Sequence, residues 1–141
     1  MRVAIITESY APDVNGVANS VLRVCDHLVT RGHEPMVIAP RPRRRLLPHA
    51  PVPAYGVHRV PSMPFPGYRN VRLAAPSGVI SAALREFQPD VVHLASPFVL
   101  GAWGARAAES LGIPVVAVYQ TDVPGYAEAY GVRPMQDAAW R

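Results

Sequence analysis

The chain has 141 residues, half of them apolar and 17% charged, which excludes a disordered polymer and suits about one domain around a single core. Its net charge is +4, and every one of its 14 basic side chains is arginine. No aromatic residues interleave the arginine cluster, as stacking on single-stranded nucleic acid would require, so no nucleic-acid partner is expected. No run approaches the ~20 apolar residues of a membrane span. The first apolar stretch is too short for a signal-peptide core, so the chain reads as cytoplasmic. The lone Cys25 excludes an internal disulfide framework, and its place in an apolar helical stripe makes it a core residue.

Val3-Ala4-Ile5-Ile6 predicts a buried strand. It breaks at the polar stretch Thr7 to Asp13, which contains Pro12, and order resumes at Asn15-Gly16. Behind that turn Val17, Val21, Leu22, Cys25, Leu28 and Val29 recur at helical spacing to about Arg31, where Gly32 supplies a left-handed stop. Met36 to Ala39 predicts a second strand, ended by Pro40. Five prolines and four arginines between Pro40 and Pro53 predict an irregular surface loop. Arg41, Arg43, Arg44 and Arg45 make it basic. It is either a solvated loop or a contact for an anionic lipid surface, where each charge is worth roughly 1 kcal/mol.

Val57 to Val60 predicts a third strand, and the proline-rich Pro61 to Tyr68 an irregular loop. A helix follows from near Pro76-Ser77 to Phe87, with Val79, Ile80, Ala83 and Leu84 inward. Asp90 to Leu94 predicts a strand. Ser96 and Pro97 then read as N-cap and first residue of a helix that Gly112 stops. Ile113 to Tyr119 predicts the last strand, and a short helical piece follows near Tyr126 to Tyr130. This order implies an α/β fold, a Rossmann-like and mostly parallel sheet with helices on both faces.

Four loops then converge on one sheet edge: Glu8–Gly16, Pro61–Tyr68, His93–Pro97 and Gln120–Gly125. They hold no GxGxxG, no phosphate-binding GxxxxGK[ST] and no metal-ligand spacing. Ser9 lacks the flanking glycines of a nucleophile elbow. Asn15-Gly16 reads either as an ordinary turn and cap or as a close-approach site at a strand-to-helix switch, where backbone N–H groups favour an anion. Asp13 and Asp122 are turn residues or hydroxyl acceptors. Gln120 and Thr121 are neutral groups suited to a sugar hydroxyl or a phosphate. His93 reads equally as a packed histidine or a ligand contact, whereas His58 reads as structural.

Three segments resemble the opening domain of family 4 glycosyltransferases of the GT-B fold. They are Thr7-Glu8-Ser9-Tyr10-Ala11-Pro12 with Asn15-Gly16-Val17-Ala18, Pro89 to Pro97 with Gly101, and Tyr119 to Ala127. The pattern is most similar to actinobacterial α-mannosyltransferases that use GDP-mannose on phosphatidylinositol or related glycolipids. The resemblance implies an N-terminal, acceptor-side domain spanning residues 1–141, with a donor-binding domain beyond it. The helical pattern at Gln136 to Arg141, which ends without a cap, points the same way.

It implies a nucleotide diphosphate sugar as co-substrate, GDP-mannose favoured, a lipid or polyol acceptor, and no obligate metal or other cofactor. It places Gly16 and Asn15 at the donor diphosphate, and Asp13, Thr121, Tyr126 and His93 at the acceptor. Gln120 and Asp122 fall at catalytic positions. Many relatives carry histidine where Gln120 stands, and glutamine can hydrogen-bond a hydroxyl but cannot relay a proton near neutral pH. The resulting expectation is a retaining hexosyltransferase, cytoplasmic and in peripheral contact with the inner face of the membrane, whose first domain alone is inactive. Two alternatives stand beside it. One is a non-catalytic acceptor- or partner-binding module. The other is a receiver-like domain using Asp13, weakened by the absence of lysine.

Overall fold

A computed structural model of the chain describes residues 1–43, 52–65, 68–75, 78–96 and 98–118. Its elements are β1 (Arg2–Ile6), α1 (Gly16–Thr30), β2 (Glu34–Pro40), β3 (Gly56–Val60), β4 (Ser62–Phe65), β5 (Tyr68–Ala74), α2 (Val79–Phe87), β6 (Val91–Leu94), α3 (Val99–Ser110) and β7 (Val115–Ala117). Five strands form one parallel sheet in the order β3-β2-β1-β6-β7. The chain steps outward from β1 to β3, then crosses back over β1 to β6 and β7. The order therefore reverses between β1 and β6, and the crevice at their carboxyl ends is where such sheets bind ligands. This is the Rossmann-like α/β fold the sequence predicts.

Alternation along the strands feeds two cores. Val3 and Ile5 of β1, with Val37 and Ala39 of β2, pack against Val21 and Cys25 of α1. Ala4, Ile6, Met36, Ile38, Val92 and Leu94 face the other way, against Ile80, Ala83 and Leu84 of α2 and Leu100 and Ala108 of α3. Because both faces are covered, the strands read as apolar runs rather than alternations. Ile6 and Ile38 have no exposed surface, and cutting such a side chain to Ala costs about 2–5 kcal/mol.

The helix α1 ends as the sequence predicts. Gly32 takes φ +73, which lets the Gly32 and His33 N–H groups each reach back to the Val29 and Leu28 carbonyls at 2.9 Å. Cys25 is fully buried, and burial pushes its thiol up to about 11. Among the described residues no helix is long and apolar enough to cross a membrane.

The structure corrects the reading of residues 61–75. The expected irregular loop is a ribbon in which β4 pairs antiparallel with β5, with a register break between Pro64 and Phe65. Proline breaks a central strand, but each strand of a two-stranded ribbon has one unpaired edge, where a missing N–H costs nothing. Arg72 holds the ribbon, donating from Nε to Ser62 Oγ at 2.8 Å and from Nη2 to the Ser62 carbonyl at 2.6 Å. Boundaries shift elsewhere. β2 is longer than Met36 to Ala39, and α2 begins at Val79. β7 begins at Val115 rather than Ile113, because the Ile113 N–H instead closes the end of α3 on the Ala108 carbonyl at 2.9 Å.

Candidate functional site

The crevice is built around the turn between β1 and α1. Thr7, at the end of β1, is fully buried. Its hydroxyl donates to the Ser9 carbonyl at 2.8 Å and lies 3.5 Å from Ser96 Oγ, at the end of β6. Ser9 is the hub of the turn. Its hydroxyl donates to Asp13 Oδ2 at 3.2 Å and accepts from Asn15 Nδ2 at 2.6 Å. The Asp13 N–H closes the turn on the Tyr10 carbonyl at 3.1 Å. Asn15 also caps α1, its Oδ1 accepting the Ala18 N–H at 2.9 Å from a backbone at φ −155, ψ 174. One short turn thus presents a carboxylate, a carboxamide and the free N–H groups of a helix start. No acidic residue lies in the first turn of α1, so the helix dipole there is not neutralised from within.

Gly16 opens α1. It is not among the residues with positive φ, and among the described residues a Cβ built on it meets no atom within 4 Å. Neither backbone conformation nor packing among the described residues asks for glycine at that position.

The start of α3 is different. Phe98 occupies its cap position with no side-chain cap bond, which corrects the expectation that Ser96 caps this helix. Ser96 instead lies close to Thr7, and the capping is done from the turn after β1. Glu8 Oε1 accepts the Leu100 N–H, and the Gly101 N–H also acts on the carboxylate. Burial pushes the Glu8 carboxyl up to about 7 while these two N–H groups pull it down. Its Oε2 is buried with no partner among the described residues. Gly101 is needed here, since a Cβ would press into the Ser96 carbonyl oxygen and lie 3.2 Å from its carbon. One turn on, a Cβ on Gly104 would press into Ile6, so two glycines bring α3 down onto β1 and the turn after β6.

From the other side β3 grips the same turn. Arg59 Nη1 donates to the Pro40 carbonyl at 3.1 Å, and Nη2 donates to the Ala11 carbonyl. The guanidinium carbon sits 5.1 Å from the centre of the Tyr10 ring. The Tyr10 and Tyr55 hydroxyls are 2.8 Å apart. Burial lowers the Arg59 pKa, and Tyr10 and Asp13 oppose that.

Of the residues singled out from sequence, the structure brings Asp13, Asn15 and Gly16 onto one turn. His93 lies within β6, in register with Ile5 and Val116. It is half-buried, burial lowers its pKa, and its ring makes no hydrogen bond to a described residue. Gln120, Thr121, Asp122 and Tyr126 lie outside the described residues, as do Arg44 and Arg45. Of the four expected loops, those after β1 and β6 meet through Glu8, Thr7 and Ser96. The chain after β3 leaves as the ribbon, which packs beside β2 and α3. Tyr55 and Arg59 escape sequence reasoning, and Glu8 and Ser9 are read there only as part of the loop, not in these roles. The available signal was Glu8-Ser9 one residue past an apolar strand, with Ser9 four residues before Asp13. Among the described residues no three His, Cys, Asp or Glu side chains group as metal ligands.

A parallel sheet reversing beside a glycine-opened helix is the architecture of a Rossmann-like domain with a crevice at its switch point, and comparison with known proteins makes it specific. The sequence profile of glycosyltransferase family 4 matches residues 14–141, and the chain belongs to that family. It is 53% identical over 141 residues to a protein of Mycolicibacterium smegmatis named GDP-mannose-dependent alpha-mannosyltransferase, covering 99% of this chain and 38% of the relative. It is 30% identical over 132 residues to an alpha-monoglucosyldiacylglycerol synthase of Streptococcus pneumoniae, covering 89% of this chain and 28% of that one. The chain thus spans about a third of the length of these relatives. A crystal structure of a UGT transferase from Siraitia grosvenorii in complex with UDP shares the fold, with TM-score 0.52 and 14% identity over 84% of this chain and 28% of that one.

Proposed function

We propose that the full gene product is a retaining glycosyltransferase that moves mannose from GDP-mannose to a hydroxyl of a lipid or polyol acceptor, and that this chain is its acceptor-side domain. The observation that carries the reading is Gly16. It lies at the topological switch point, at a helix start with no acid in its first turn, and is a glycine that the described residues do not require. A glycine kept free of side-chain bulk at such a place suits a diphosphate approaching the backbone. Departure of a nucleoside diphosphate concentrates negative charge on its oxygens, and N–H groups already aimed at that position lower the barrier without reorganising. Asn15 holds those groups in place by capping α1.

In this reading Asp13, held by Ser9, accepts a hydroxyl of the acceptor, with His93 at the floor of the crevice. Gln120, Thr121, Asp122 and Tyr126 take their roles from the family resemblance. Gln120 would hydrogen-bond the transferred sugar, Asp122 would share the catalytic position, and Thr121 and Tyr126 would contact the acceptor. The name of the mycolicibacterial relative supports GDP-mannose, and that of the streptococcal relative supports a diacylglycerol-based acceptor. With such an acceptor the protein works in the cytoplasm against the inner face of the membrane. The basic stretch containing Arg41 and Arg43 supplies the attraction.

The test is transfer by the purified full gene product from radiolabelled GDP-mannose or UDP-glucose into a lipid extract. Mannose passing into the organic phase from GDP-mannose alone supports the reading. Transfer from UDP-glucose alone replaces the donor. No transfer from either sinks the enzyme reading in favour of a binding module.

A further inference from the structure

Arg59 does something that the fold does not require. It lies on β3 in register with Ala39, on the α1 side of the sheet, half-buried, with no carboxylate within 4.0 Å among the described residues. A partly desolvated cation without an ion pair is costly, and a methionine would fill similar space. What the guanidinium supplies is a rigid fork. One arm holds the Pro40 carbonyl at 3.1 Å and the other holds the Ala11 carbonyl, so the exit of β2 and the turn after β1 are joined through one plane. The same group covers the Tyr10 ring at 5.1 Å, and Tyr10 is tied to Tyr55 at 2.8 Å. Residues 10 and 11 are therefore gripped twice from the β3 side. Asp13 hangs directly from them, its N–H on the Tyr10 carbonyl at 3.1 Å. Gly16 has a second support besides the bond from Asn15 to Ser9, because Asn15 also caps α1 through the Ala18 N–H.

We propose that Arg59 is a positioning residue for the transfer reaction: its fork fixes the Tyr10–Asp13 turn and so places the Asp13 carboxylate against the acceptor, leaving the donor side at Gly16 untouched. The proposal rests on the glycosyltransferase reading. A misplacement of about 1 Å in a group that orients a substrate can cost about 100-fold in rate, so the contribution is kinetic rather than a matter of stability alone.

The experiment compares wild type, Arg59→Lys and Arg59→Met in the full gene product by two readouts. The first is hydrogen exchange of peptides covering Tyr10 to Gly16, which needs no activity. Lysine keeps the charge but cannot bond both carbonyls in one plane. Both variants are therefore expected to exchange about tenfold faster in this turn, with β1 and β2 unchanged. The second is steady-state kinetics. The acceptor KM should rise, or acceptor kcat/KM fall, by about tenfold in Arg59→Lys and about 100-fold in Arg59→Met, while donor KM stays within about twofold. A turn that exchanges at the wild-type rate overturns the proposal. So does a faster turn with unaltered acceptor kinetics, or a donor KM that rises as much as that of the acceptor. If wild type transfers nothing, the enzyme reading fails by itself. The exchange rates then still decide whether Arg59 fixes the turn.

Discussion

Two of the helices that start at the carboxyl edge of the sheet, α1 and α3, begin in opposite ways. The start of α3 is filled from within: the Glu8 carboxylate takes the Leu100 N–H, and Gly101 is a glycine because the Ser96 carbonyl leaves no room for more. The start of α1 is capped by the neutral Asn15, carries no acid in its first turn and opens on a glycine whose Cβ would meet no described residue. Both helix starts present positive dipole ends to the same crevice. One has its N–H groups taken by a built-in carboxyl, and the other keeps its place for a ligand. A glycine in a helix start is therefore informative only once its surroundings are known. Gly101 is structural and Gly16 is not, although both belong to segments that resemble the same family.

That contrast can be broken first at Gly101. Replacing it with Ala forces a methyl into a backbone carbonyl that cannot move like a flexible side chain, and overpacking of this kind costs about 3 kcal/mol. The same substitution at Gly16 should cost nothing measurable, since Ala is also the better helix former. Urea unfolding of the two variants checks the difference. Equal stabilities would show that the α3 start is as open as the α1 start.

The Glu8 latch predicts a pH effect with a definite sign. Its carboxyl stands at about 7 in the fold against 4.5 for the free group, so the folded state holds the proton more tightly. The contribution to stability is full below pH 4.5 and is lost as pH rises to about 7, a change of roughly 3 kcal/mol. Glu8→Gln keeps an oxygen for the Leu100 N–H and does not titrate. The stability of wild type minus that of the variant should therefore fall by roughly 3 kcal/mol between pH 4.5 and 8. A flat difference would mean that the carboxylate is solvated and the latch loose.

Asn15 gives a smaller effect. Asn15→Ala removes the cap on Ala18 and the bond to Ser9, and should cost about 1 kcal/mol by thermal unfolding. Asn15→Ser should recover most of it, because serine caps as well but cannot span to Ser9. No loss in the alanine variant would detach Asn15 from the geometry of the turn.

The sheet was legible because its strands are buried on both faces and hence uniformly apolar, and α1 because its apolar spacing ends on Gly32. Asn15 and Gly16 were legible as a turn between two such elements. The ribbon at β4 and β5 was not, since Pro64 carries a rule about central strands that a two-stranded ribbon escapes. Glu8, Tyr55 and Arg59 were hidden for another reason. Each acts on a partner far along the chain, Glu8 on Leu100 and Arg59 on Ala11 and Pro40. No local spacing encodes such a contact. Ser96 shows the converse error: its sequence context is that of a cap, yet a distant carboxylate holds the helix it precedes.

The central claim is that the open start of α1 receives the donor diphosphate. The direct measurement is calorimetric titration of GDP-mannose into the full gene product and into its Gly16→Val variant, with melting temperatures recorded for both. A Kd raised by about 100-fold, near 2.7 kcal/mol, is expected, with melting temperatures within a few degrees, because no described residue opposes the new side chain. A variant that binds GDP-mannose as tightly as wild type would contradict it.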